Sequence, residues 1–246
     1  MGIFHSLSLY SVAFFIVVIA FIVRGTIGFG SGLIAVASLI LLMPVKLAVP
    51  LVFLLDLTAA LVLGSYDAKQ VVWRDVLWVL PFASVGVFIG GFILKKASPG
   101  SVTFILGLFI LVYVLYALWV KLDKLPKIRT LWAIPLGLLG GLAGSLYGGG
   151  GPPLVAYLQL RKLDKRQFRA TMQLVAGMNN VLRGILYVAL GLLTLPIGLG
   201  YLALLPAMLL GLWIGNKVHL RINAKLFQEV VLVVLTLVGL KLMIPV

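Results

Sequence analysis

GSLYGGGGPP, Gly144 to Pro153, sets four consecutive glycines and two prolines inside a chain that is otherwise almost continuous hydrocarbon. Interior glycine costs a helix about 1 kcal/mol against alanine, and interior proline about 3 kcal/mol. In a bilayer, each backbone group left unbonded costs several kcal/mol more. Such a stretch marks where one membrane helix stops and another starts, and whether it occurs once or twice decides the architecture.

Composition sets the class. The 246 residues are 63% hydrophobic and 11% charged, where a soluble domain carries about a quarter charged residues. Runs such as Phe104–Trp119 and Leu226–Ile244 approach the ~20 residues that cross a ~30 Å hydrocarbon layer. The first run, Ser6–Val23, has no basic leader and no small-residue cleavage site, and reads as a retained helix. The chain is therefore predicted to be an all-α polytopic membrane protein, with the lipid bilayer as its solvent.

A net charge of +14 would suggest nucleic acid in a soluble protein. Here the lysines and arginines fall in loops between apolar runs, as the positive-inside rule expects, so no nucleic-acid partner is predicted. With no cysteine there is no disulfide, thiolate metal site or cysteine nucleophile, and no metal or cofactor is predicted. His5 and His219 sit near predicted segment ends, and neither an H-E-x-x-H nor a P-loop lysine motif occurs. The chain reads as neither an intramembrane enzyme nor an ATPase.

The glycine stretch has a partner. Shifted by 119 residues, RGTIGFGSGLIAVASLILL (Arg24–Leu42) lies on AGSLYGGGGPPLVAYLQLR (Ala143–Arg161), matching Gly25, Gly30 and Gly32 to Gly144, Gly149 and Gly151. After a slip of six residues, Leu80–Gly90 lies on Leu205–Gly215, pairing Pro81 with Pro206, Gly86 with Gly211 and Gly90 with Gly215. Glycines and prolines matched at constant offset are the mark of an internal repeat.

Each half holds about five hydrophobic segments: 7–23, 27–43, 46–64, 72–94 and 102–120, then 131–146, 152–160, 167–192, 197–217 and 226–244. Residues 1–120 form a first transmembrane repeat, 121–130 a cytoplasmic linker and 131–246 a second repeat. Placing the N-terminus outside puts the strongly basic loops inside and leaves Lys46, Lys95 and Lys96 outside. An odd number of segments per half then makes the repeats inverted, with the C-terminus also outside and the chain multi-pass in its membrane. The short segments 27–43 and 152–160 either cross with the segment before them or form a hairpin that enters and returns.

Proline suits the first turn of a helix, where its missing N–H would be unpaired anyway. A helix is therefore predicted to start at Pro152, inside the membrane, with the positive end of its dipole and unhindered glycine amides facing an anion. Gly148, Gly149, Gly150 and Gly151 supply that nest in the second half. Gly28, Gly30, Ser31 and Gly32, with the Thr26 hydroxyl, supply it in the first. Two inverted breaks would bring the two sites together near the midplane, where transporters hold substrates. For Gly86/Gly90 and Gly211/Gly215 the spacing favours close helix packing instead.

Arg169, Gln173, Asn180, Arg183 and Tyr187 share one face of the segment Gln167–Leu190 at 100° per residue. A polar stripe on a membrane helix faces a pore or the bundle interior. Gln173 and Asn180 read equally as substrate ligands or interhelical hydrogen-bond partners. Arg183 reads as an oxyanion ligand, because its planar fork matches oxyanions in two-point fashion. Arg24, directly before the first break, reads either as a second ligand or as a cation reaching from a helix C-terminus to the interface. Asp56 is read as the one acidic residue deep inside a segment, either a proton-coupling carboxylate or half of an arginine ion pair.

The two glycine-rich breaks, RGTIGFGSGLIAV and GSLYGGGGPPLVAY, together with FRATMQLVAGMNNVLRG (Phe168–Gly184) after a basic loop, resemble the TauE/SafE sulfite exporter family over about residues 7–244. The resemblance implies an inner-membrane protein that moves small sulfur-containing anions, such as sulfite or organosulfonates, commonly outward. The first half departs from the pattern: it has no unbroken glycine run, and Leu33 and Ile34 stand where the second half has prolines.

The reading that follows is a secondary transporter exporting a small anion, acting alone or as a homo-oligomer. The alternatives are a permease for a cation or neutral solute, centred on Asp56, and a non-transporting membrane scaffold with no wet cavity around Gly148–Gly151.

Overall fold

The computed structural model describes residues 7–27, 30–63, 68–120, 125–148, 150–218 and 224–243. Among them are ten α-helices: α1 (Leu7–Ile27), α2 (Ser31–Leu39), α3 (Val45–Leu63), α4 (Trp73–Lys96), α5 (Pro99–Trp119), α6 (Ala133–Tyr147), α7 (Gly151–Leu160), α8 (Lys165–Ala189), α9 (Leu195–Val218) and α10 (Ala224–Met243). They correspond to the ten segments expected.

Among the described residues, six stretches are long and apolar enough to cross a membrane: α1, α3, α4, α5 and α9, and α6 with the single turn before it, Thr130–Tyr147. The side chains these helices leave uncovered are apolar, such as Val112, Leu115 and Leu118 on α5 and Phe88 and Phe92 on α4. Surface of this kind is what lipid, not water, solvates. The structure corrects one segment: 167–192, expected to be hydrophobic, is a helix too polar to qualify. Its charged and amide residues dilute its apolar ones, which cluster on one side.

Helices α2 and α7 are the half-length elements. At 1.5 Å per residue, nine and ten residues span about 14 and 15 Å, roughly half the hydrocarbon layer. Since α1 and Thr130–Tyr147 can cross on their own, neither needs its short successor to finish a crossing.

The helices fall into two compact units, each drawing on both halves of the sequence: Met1–Ala59, Ala97–Leu118 and Leu193–Val246, and Ala60–Lys96 with Trp119–Leu192. In the first unit α1 lies along α9. The approach is close because glycines line it. A Cβ on Gly211 would stand 2.6 Å from the Val18 carbonyl oxygen, and one on Gly25 2.8 Å from that of Leu212. In the second unit α4 lies along α6, where a Cβ on Gly90 would meet the Leu142 carbonyl at 2.8 Å and one on Gly137 that of Val79 at 2.9 Å. Gly86/Gly90 and Gly211/Gly215 therefore serve packing, as their spacing indicated.

Candidate polar sites at the two breaks

The second break ends α6 at Tyr147, with Gly148 at φ +68°, a left-handed conformation in which a Cβ would be strained. Helix α7 then opens at Gly151 with Pro152 and Pro153 in its first turn, as the missing proline N–H allows. Among the described residues, no side chain caps its N-terminus. Gly150 packs: a Cβ there would lie 2.5 Å from the Gly140 carbonyl oxygen and 3.0 Å from the Gly144 Cα. Part of the glycine run is thus explained by a backbone pressed onto α6. Gly149, like Gly28 of the first break, lies outside the described residues.

Helix α8 is amphipathic in the membrane sense. Val181, Ile185 and Val188 are 60%, 64% and 67% exposed, whereas Arg183 is 4% exposed and Tyr187 fully buried. Over these last turns the apolar side chains face outward and Arg183 and Tyr187 face inward. Asp164 starts the helix with a capping box, accepting from the Arg166 and Gln167 amides while the Gln167 side chain accepts from the Asp164 amide. Arg183 Nε donates to Tyr187 Oη at 3.0 Å, and its guanidinium carbon stands 5.1 Å from the centre of the same ring. Tyr187 in turn donates a short hydrogen bond to the carbonyl of Ser145, in the last turn of α6. A buried cation is thereby fixed against the end of the helix that leads into the break.

Of the other residues on that expected stripe, Gln173 and Asn180 are half-buried and Arg169 is exposed. Gln173 Oε1 is buried with no hydrogen-bond partner among the described residues. So is Oδ1 of the neighbouring Asn179.

The first break is built differently. Gly30 has φ +94° and precedes α2, whose first residue, Ser31, is fully buried and whose second, Gly32, is buried. Arg24 Nη1 lies 2.6 Å from Asp56 Oδ1 and donates to Ser31 Oγ at 3.2 Å, and Ser31 Oγ donates to the same Asp56 oxygen at 2.5 Å. Asp56 is thus paired with an arginine, and Arg24 is held by that carboxylate rather than in either arrangement its position suggested. Thr26 does not face the break with its hydroxyl, which bonds back to the Ile22 carbonyl at 2.7 Å.

A third polar cluster lies outside the residues expected from the sequence. Asp75, in the first turn of α4, is fully buried. Its Oδ1 accepts from Tyr157 Oη at 2.7 Å and from Arg161 Nε at 2.8 Å. Asp75, although it lies at the start of its helix rather than deep inside a segment, is buried more fully than Asp56. The i, i+4 spacing of Tyr157 and Arg161 was the available signal, since it sets both on one face of a short helix.

The family model for the sulfite exporters TauE/SafE matches residues 13–242. The chain belongs to the TauE/SafE family. A curated protein from Comamonas testosteroni, described as "Probable inner membrane transporter protein TsaS", is 27% identical over 199 residues, covering 78% of this chain and 81% of that one. No solved structure matches. The family and this relative make the chain a membrane transporter, and its buried polar clusters are the places where a solute-handling site is to be sought.

Proposed function

We propose that this chain is a secondary transporter that exports a small anion, such as sulfite or an organosulfonate, across the inner membrane, with both termini outside. The observation that carries the reading is Arg183: a buried guanidinium on the inward face of α8, held by Tyr187 against the last turn of α6 before the break. Burying a cation in a membrane helix costs about 2.5 kcal/mol or more, and the planar fork of a guanidinium matches an oxyanion in two-point fashion. Gln173, Asn180 and the glycine amides at Gly148–Gly151 complete the proposed site. The inverted repeat is supported by reciprocal pairing. The first helix of each half lies along the fourth helix of the other, α1 with α9 and α6 with α4.

A cation permease centred on Asp56 would need that carboxylate for its substrate, and Arg24 and Ser31 already bond to it. The test is flux in proteoliposomes across sulfite, thiosulfate, sulfoacetate, taurine, acetate and chloride. Movement of one or more sulfur oxyanions, lost in Arg183→Ala, is the expected result. No flux of any anion under any imposed ion gradient would refute the reading.

A further inference from the structure

We infer that Asp75, Tyr157 and Arg161 form a latch that positions the half-helix α7, and with it the second break. The consequence for transport rests on the function proposed above. The geometry of the latch does not.

Helix α7 is a rod about 15 Å long with unlike ends. Its N-terminal end meets α6 at Gly140, Gly144 and Gly150, where Gly150 lies on the α6 backbone and the Leu154 side chain sits over Gly140. Its C-terminal end is tied by four hydrogen bonds. Tyr157 and Arg161 both donate to Asp75 Oδ1 on α4. Arg161 Nη1 also donates to the Ile128 carbonyl at 2.8 Å, and the Ile128 amide donates to the Leu160 carbonyl at 3.1 Å. Arg161 therefore bridges α4, α7 and the connection between the two halves of the sequence. Just beyond it Lys162 takes φ +57°, a left-handed turn that costs a side-chain-bearing residue about 1–2 kcal/mol.

The latch is also incompletely satisfied. Asp75 Oδ2 is buried without a hydrogen-bond partner among the described residues, and an unmet buried acceptor costs free energy that a fully bonded carboxylate would not. A purely structural ion pair gains nothing by keeping an oxygen bare, whereas a contact that opens and closes during a cycle need not be fully satisfied in either state.

The test uses the absence of cysteine from the chain, which makes any introduced thiol the sole one. Ala156→Cys places a reporter on α7 at a buried position, and Ala83→Cys places one on α4 at a fully buried position. Both are labelled with N-ethylmaleimide in the full-length chain in lipid nanodiscs. Tyr157→Phe and Asp75→Asn are each expected to raise the labelling rate at position 156 by roughly tenfold or more, the scale set by one hydrogen bond to a charged group, and to leave position 83 unchanged. Arg161→Lys is expected to fall between, because an ammonium can reach Asp75 but cannot also fork to Ile128. An unchanged rate at position 156 in all three variants, or a parallel rise at position 83, would overturn the latch. In sulfite-loaded proteoliposomes the same variants are expected to lower the maximal efflux rate more than they change KM, and an unaltered maximal rate would overturn the latch's part in transport. Labelling needs no substrate, so the latch fails or stands apart from the substrate assignment.

Discussion

The two breaks occupy matching places in the sequence and are built from opposite materials. Arg24 and Ser31 of the first align with Ala143 and Gly150 of the second. In the first break those positions carry a cation and a hydroxyl, and Arg24 and Ser31 converge on the Asp56 carboxylate. In the second, small residues stand there, and Gly150 lies against the α6 backbone. On α8 the Tyr187 phenol accepts from Arg183 and itself donates to the Ser145 carbonyl in the last turn of α6. The first break thus holds an anion that belongs to the chain itself, while the second opens a half-helix whose N-terminus no described side chain caps. Under the function proposed above, the second break is the one that takes the substrate.

The largest expected effect comes from breaking the charge balance of the first break. Asp56→Asn leaves the Arg24 guanidinium without its carboxylate in a mostly buried place, and removing one partner of a buried pair costs about 3–5 kcal/mol. The thermal midpoint of the purified protein in detergent should fall by many degrees, and Arg24→Gln in the same chain should recover much of the loss. A stable Asp56→Asn variant whose flux merely stops responding to a proton gradient would instead make Asp56 the proton carrier and end the contrast.

Next is Arg183→Ala. The Tyr187 bond to Ser145 does not depend on the guanidinium, so the fold should persist with little change in thermal midpoint. Anion affinity should drop roughly 10- to 100-fold, the range for a lost hydrogen bond to a charged partner. The same measurement on Arg24→Ala should show instability first. Equal affinity losses in two equally stable variants would mean that both breaks bind substrate.

Which of these features the sequence makes legible follows from what each depends on. The breaks are readable because glycine and proline act locally: Pro152 and Pro153 can begin a helix but not continue one, and α7 does begin at Gly151. The inward face of α8 is readable because it is a matter of period, and Arg183 and Tyr187 meet one turn apart. Asp75 and Arg161 are not readable, because burial of a charge is decided by tertiary contacts. Asp75 follows Arg74 beside a loop, and Arg161 opens a run of basic residues, so both look like interfacial charges. The packing role of Gly150 is hidden for a similar reason: a glycine pressed on a neighbour and one facing a ligand are the same letter.

Intermediate effects should separate the glycines. Gly150→Ala forces a methyl against the Gly140 carbonyl, and overpacking costs about 1–3 kcal/mol. Gly30→Ala meets little obstruction, its nearest neighbour being Val23 Cγ1 at 3.9 Å, but it sits at φ +94° and should lose about 1–2 kcal/mol through backbone strain alone. Denaturation midpoints of the two variants should therefore fall by similar amounts for different reasons. The reasons can be told apart because a valine in place of the alanine should worsen the variant at 150 far more than the one at 30.

The smallest effect is the most direct comparison of the halves. Ser31→Gly writes the residue of the second break, Gly150, into the first. It removes a hydroxyl that donates to Asp56 and accepts from Arg24, but the 2.6 Å pair between those two residues remains, so the charge stays balanced. A hydrogen bond of this kind contributes about 1 kcal/mol net, and the thermal midpoint should fall by only a few degrees with anion flux unchanged. If Ser31→Gly instead abolished flux without loss of stability, Ser31 would be a substrate ligand and the first break would be a second binding site. The electrostatic asymmetry would then describe two states of one device rather than a division of labour between two.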